Sequence, residues 1–218
     1  MKKGDLIWAL IMIAIVGFIA VPATNKIFME FTGEHPYVSG FIKFSILATL
    51  GELLAVRIMR KDWRGLPKGI PYRALVWDML GMLIVLAFEI YGSGVISAQE
   101  KGLLPRGGKI VYAFTVSTLL NTTFAPMLMG THKITDTYID LVYKNPGERP
   151  TLAVIAETID WKGFLSFVIM KTLPLFWIPA HTITFLLPPE YKVLFAASLS
   201  LALGLILAFA KSKPAIKA

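Results

Sequence analysis

Six ionisable side chains lie inside stretches otherwise apolar enough to enter a bilayer: Lys43, Glu52, Asp78, Glu89, Lys171 and His181. A charge at the bilayer centre costs at least about 2.5–3.5 kcal/mol, so such groups face a bundle interior or a watery cavity. There they can lock helices together, line a polar conduit or relay protons. Helical spacing decides which can cooperate. Asp78 and Glu89 are eleven residues apart, about 1,100° of rotation, so both carboxylates fall on one face. Lys43 and Glu52, nine apart, fall on opposite faces. Other chemistry finds little support. The chain has no cysteine, which removes thiolate catalysis and Cys-ligated metal. Its histidines, His35, His132 and His181, are scattered, and no phosphate-cradling glycine motif is present. The expectation is a non-enzymatic protein with no cofactor and no metal.

One segment concentrates the problem. Residues 171–192 read KTLPLFWIPAHTITFLLPPEYK. Pro174 and Pro179 each remove a backbone donor and disturb the preceding turn. Carbonyls freed at that depth need a neighbour or water. A kinked helix carrying an inward Lys171 and His181 would suit a cavity wall. A kinked packing helix, with Trp177 and His181 at the outer interface where aromatics gather, explains the same residues.

These side chains must be positioned by membrane helices. Of 218 residues, 56% are hydrophobic and 17% charged, against about 45–50% and 25% in soluble domains. Residues 6–25, 110–131 and 193–210 contain no charge, and about 20 such residues span a bilayer. Six spans are expected near 5–23, 37–57, 73–95, 109–131, 162–186 and 191–210, an all-α polytopic bundle. Residues 1–34 supply an N-terminal span and loop. The lysines after Met1 and the apolar run resemble a secretory signal, but the run is long and reads better as a retained helix. Lys and Arg fall fifteen to one side and five to the other, which places both termini in the cytoplasm. That bias also accounts for the net charge of +8 without nucleic acid. Residues 132–161 read as a covering loop or a gate. It would hold one interfacial helix presenting Ile134, Tyr138, Leu141 and Val142, and a second presenting Leu152, Ile155 and Ile159. On this topology Lys43 and Glu89 lie at matched depths, about 9 Å inside the outer boundary. They are expected to form an ion pair, line a conduit or serve a proton-coupled site. Glu52 and Asp78 sit nearer the cytoplasmic end, within reach of snorkelling.

The segment from Lys171 onward resembles the C-terminal signature of the family that includes the twenty-two-kilodalton peroxisomal membrane protein and the mitochondrial inner-membrane protein Mpv-seventeen. Pro179, Phe185, Pro188, Tyr191 and Lys192 match it, with Trp177 close to the position of its Trp. His35-Pro36-Tyr37 resembles the family's His-Pro-Trp, and Gly51-Glu52 its Gly-Asp. Tyr91 falls near its Trp-Tyr pair, and Asn121 with Pro126 near its Asp-Gln and Pro. The resemblance covers about residues 35–211. Ile178, Thr184 and Asn121 depart from the pattern, residues 1–34 add a span, and residues 212–218 add a basic tail. The resemblance implies a divergent member in a prokaryotic plasma membrane. It would pass small solutes or metabolites with weak selectivity, its partners being membrane lipids, the solute and, in a homo-oligomer, further copies of itself. A proton-coupled transporter and a non-transporting scaffold are the alternatives.

Overall fold

The computed structural model describes residues 2–64 and 66–212. All of the expected basic tail except its first residue lies outside them. No strand occurs among the described residues. The helices are α1 (Lys3–Ala20), α2 (Pro22–Glu34), α3 (Pro36–Arg60) and α4 (Ile70–Glu100). They continue as α5 (Lys109–Lys144), α6 (Leu152–Thr158), α7 (Trp161–Leu186) and α8 (Pro189–Ser212). Five helices are long and apolar enough to cross a membrane: α1, α4, α5, α7 and α8. The sequence reading also counts α3 as a span. This helix carries Lys43, Glu52, Arg57 and Arg60; Lys43 bonds Thr32 of α2, Glu52 lies near Arg73 of α4, and Arg57 pairs with Asp5 of α1. It is the central helix, packed between α4 and α8.

Two expectations for the connections change. Residues 22–34 form a helix rather than a loop, because Pro22 occupies the first helical turn, where its missing N–H is no loss. Residues 132–144 do not form a separate interfacial helix. They prolong α5 to 36 residues, about 54 Å at 1.5 Å per residue. That exceeds a hydrocarbon core of about 30 Å, and the polar C-terminal turns are the surplus. The face differs too. Ile134 and Tyr138 are exposed while Thr137 and Ile139 are buried. In α6, Ile155 is buried and Leu152 exposed; Ile159, just beyond it, is also buried.

Glycines set the helix crossings. A Cβ on Gly81 of α4 would lie 2.9 Å from the Gly40 carbonyl oxygen of α3. One on Gly51 would lie 3.0 Å from the Leu201 backbone nitrogen of α8. These approaches draw α4 and α8 onto α3 around a core of Phe44, Leu47, Ala48, Ile84, Phe88 and Ala197. Gly69, before α4, has φ of +74°, a region open to glycine.

α1 is different. None of its residues is buried, and polar contacts hold it at its ends. Arg57 Nε donates to Asp5 at 2.7 Å, as does Trp63 Nε1, and Trp8 Nε1 donates to the Leu50 carbonyl at 3.1 Å. At the other end Asn25 Nδ2 donates to the Ile19 carbonyl and to Tyr191 Oη. Asp62, in the connection after α3, pairs with Lys2 at 2.8 Å. That ammonium, helped by the Arg64 backbone N–H, holds its carboxyl down at about 2, so Asp62 is ionised at neutral pH.

Candidate functional site

Two stretches of wide-turned helix meet inside the bundle. In α5, residues Leu120–Phe124 form a π-helical turn, closed by Ala125 N–H donating to the Leu120 carbonyl. In α7 the π-helical stretch runs Phe164–Trp177, and Ile178 N–H donates to the Leu173 carbonyl. Prolines adjoin both: Pro126 two residues after the first, Pro174 inside the second, Pro179 just beyond it. A residue that cannot donate breaks the regular ladder, and such widened turns cluster at functional sites.

Asn121 and His181 join the two helices. Asn121 Nδ2 donates to the Ser117 carbonyl at 2.8 Å and lies 3.0 Å from His181 Nδ1. The carbonyl contact fixes which end of the amide is nitrogen. His181 Nδ1 is therefore the acceptor, and the ring carries its proton on Nε2. Ser117 Oγ donates to the Ile178 carbonyl at 2.7 Å. Trp177 lies tilted against His181 with ring centroids 5.2 Å apart, and the Phe88 ring meets it edge-on. Asn121 Oδ1 is buried without a partner.

These residues border a partly open cavity of about 360 Å³ between α3, α4, α5, α7 and α8. Its wall is mostly apolar, with Phe44, Ile84, Leu128 and Val168 among the lining residues. The polar exceptions include Asn121 and His181 in one region, Glu52, His132 and Lys133 in another, and Ser200 of α8. Among the described residues no cluster of His, Cys, Asp or Glu has the arrangement of a metal site.

Beside the Glu52 region is a buried cation that the sequence offers only as one of the Lys and Arg that set the charge bias. Arg73, at the start of α4, is 4% exposed. It lies 3.5 Å from Glu52 of α3 and forms ion pairs with Asp136 and Asp140 of α5. Its Nε donates to the Lys68 carbonyl at 3.2 Å. Trp77, one turn on, packs on His132 with ring centroids 4.3 Å apart. A signal existed: Asp136 and Asp140 have the i, i+4 spacing that places two carboxylates on one face.

Of the polar residues singled out from sequence, Glu52, Asn121 and His181 reach the cavity, as do Gly51 and Trp177. The others do not. Lys43 and Glu89 are not paired: Lys43 Nζ donates to Thr32 of α2 at 2.9 Å, while Glu89 is exposed and accepts from Ser93. Depth alone carries no azimuth, and α2 supplies the partner for Lys43. Asp78 is buried apart from the cavity, near Ser45 of α3. Its shared face with Glu89 meets different neighbours along a 31-residue helix. Lys171, Pro174 and Pro179 are exposed on the outside of the bundle. Lys171 therefore does not line the cavity.

The remaining positions of the resemblance serve packing. His35 precedes α3 and Pro36 opens it. Tyr91 Oη lies 2.6 Å from Thr123 Oγ1. Phe185 is buried against Phe88, under the Lys192 ammonium. Pro188 precedes α8, and Tyr191 bonds Asn25.

The Asn121–His181 contact is testable. Asn121→Leu and His181→Phe should each lower the melting temperature in detergent. The double variant should lose less than the sum, a coupling of about 0.5–3 kcal/mol. Additive losses would mean that the contact does not join α5 to α7. No family model, curated protein or solved structure matches the chain.

Proposed function

We propose that this chain is an integral membrane protein whose helix bundle passes small, weakly polar solutes through the cavity between α3, α4, α5, α7 and α8. In this reading both termini face the cytoplasm of a prokaryotic cell, in keeping with the excess of Lys and Arg on that side. The chain is then a divergent relative of the family that its motifs resemble. The carrying observation is the cavity itself: about 360 Å³, five helices for walls, two of them broken from regular α geometry beside it. The volume is within the roughly 300–1,000 Å³ of small-molecule sites. With an apolar wall and few polar groups, passage is graded by size and polarity rather than by a tight set of hydrogen bonds. Lys171, being outside, has no part in selectivity.

A specific observation favours a second reading, proton-coupled transport: the titratable Glu52, His132 and His181 border the same cavity. Purified protein in liposomes separates the two. Release of small uncharged solutes such as glycerol without a pH gradient is expected of a channel. Release only under an imposed gradient would establish coupling. No release of any solute would leave a scaffold.

A further inference from the structure

A second hollow lies on the opposite side of α3 from any role given to the chain so far. It is a groove of about 560 Å³ between α1, α2 and α3. Ile11, Ile15 and Phe18 of α1 form one wall, and Ile42 and Ile46 of α3 another. α1 is fixed by its end contacts and buries none of its own residues, so packing does not close the groove.

Lys43 lines this groove. Its side chain is in a residue only 7% exposed. The ammonium is 4.5 Å above the Phe28 ring and donates to Thr32 Oγ1. No carboxylate lies within ion-pair distance of it among the described residues. An ammonium has three donors, and one is used. The ring contributes on the order of 2 kcal/mol to a desolvated ammonium, below the cost of burying an unpaired cation. The groove therefore has a definite chemical demand, an apolar chain with an anion at one end.

We propose that the groove binds a long-chain fatty acid, its carboxylate on Lys43 and its hydrocarbon tail along α1. The sparse polarity of the walls selects this occupant over a phospholipid. Among the described residues Lys43 and Ser39 are the only polar side chains lining the groove, and Ser39 Oγ lies 3.0 Å from Thr32 Oγ1. Two carboxylate oxygens match an ammonium and a hydroxyl. A phosphodiester with its glycerol and headgroup brings more polar atoms than the groove can pair, and each one left unpaired there is costly.

Native mass spectrometry of the purified, delipidated protein in non-ionic detergent tests this with palmitate as the probe. One palmitate should bind per chain. Hexadecanol, the same chain length without the charge, should bind at least about tenfold more weakly. Dipalmitoyl phosphatidylglycerol should not displace palmitate. Lys43→Met should weaken palmitate binding by a similar factor, and Lys43→Arg should retain it. Ile46→Trp, which fills the groove and leaves Lys43 in place, should abolish binding while melting like the wild type. Equal binding of palmitate and hexadecanol to the wild-type protein, which needs no variant to fold, would overturn the proposal. So would phosphatidylglycerol outcompeting palmitate, or undiminished binding in folded Lys43→Met.

Discussion

Arg73→Met is expected to destabilise the bundle by about 3–5 kcal/mol, the usual cost of removing one partner from a buried ion cluster. Arg73 ties the start of α4 to α3 through Glu52 and to α5 through Asp136 and Asp140. Without it three carboxylates face one another across a junction of three helices. They do not contribute equally. The Glu52 and Asp136 side chains are about one-quarter exposed, whereas Asp140 is 68% exposed and is largely screened by solvent. Asp140→Asn should therefore change the melting temperature little. Combining Arg73→Met with Asp136→Asn should recover part of the loss, because the stranded charge goes with its partner. Arg73→Lys should be intermediate, since an ammonium cannot reproduce the guanidinium fork. Melting in detergent measures all four. An Arg73→Met variant as stable as the wild type would mean that the cluster is not holding the helices.

Gly51→Leu is expected to prevent assembly of α8 on α3. The atoms in the way are backbone: Leu201 N at 3.0 Å and the Ser200 carbonyl carbon at 3.1 Å from a Cβ at Gly51. The approach is reciprocal, because a Cβ on Gly204 would lie 3.1 Å from the Gly51 carbonyl oxygen. A side chain can rotate away, but a helix backbone moves only as a unit. Even Gly51→Ala should cost about 1–3 kcal/mol, the range for overpacking. Gly17→Ala is the control. Nothing lies within 4 Å of its Cβ position, so helix propensity alone acts, favouring alanine by up to about 1 kcal/mol. Size-exclusion chromatography and melting should rank the three as Gly17→Ala, Gly51→Ala, Gly51→Leu. Wild-type behaviour of Gly51→Leu would refute the crossing.

The long helices were legible because an apolar run of bilayer length leaves few alternatives. α2 was not. Thr24, Asn25, Lys26 and Glu30 make it too polar for a span, and Pro22 reads as a breaker when it is a starter. The end of α5 was missed for a related reason. Lys133, Asp136, Asp140 and Lys144 end the apolar run without ending the helix. At the site, His181 was visible as an ionisable group in an apolar run, and Asn121 only through the resemblance. Lys171 reads as inward from its depth in the span alone, and depth carries no azimuth, least of all in the π-helical stretch Phe164–Trp177. Each wide turn shifts later residues around the axis. Arg73 counts in the sequence only towards the Lys and Arg bias, because its partners come from two other helices, which sequence spacing does not bring together.

The central claim is that solute passes through the cavity between α3, α4, α5, α7 and α8. The chain has no cysteine, so single thiols can be placed at will. Val168→Cys and Leu128→Cys line the cavity, and Leu175→Cys, where the native side chain is 77% exposed, lies on the outer surface of the bundle. The decisive measurement is glycerol flux in liposomes before and after treatment with a small methanethiosulfonate reagent. Modification at 168 and 128 should block flux, and modification at 175 should leave it unchanged. Full flux through protein verified as modified at 168 and 128 would contradict the account.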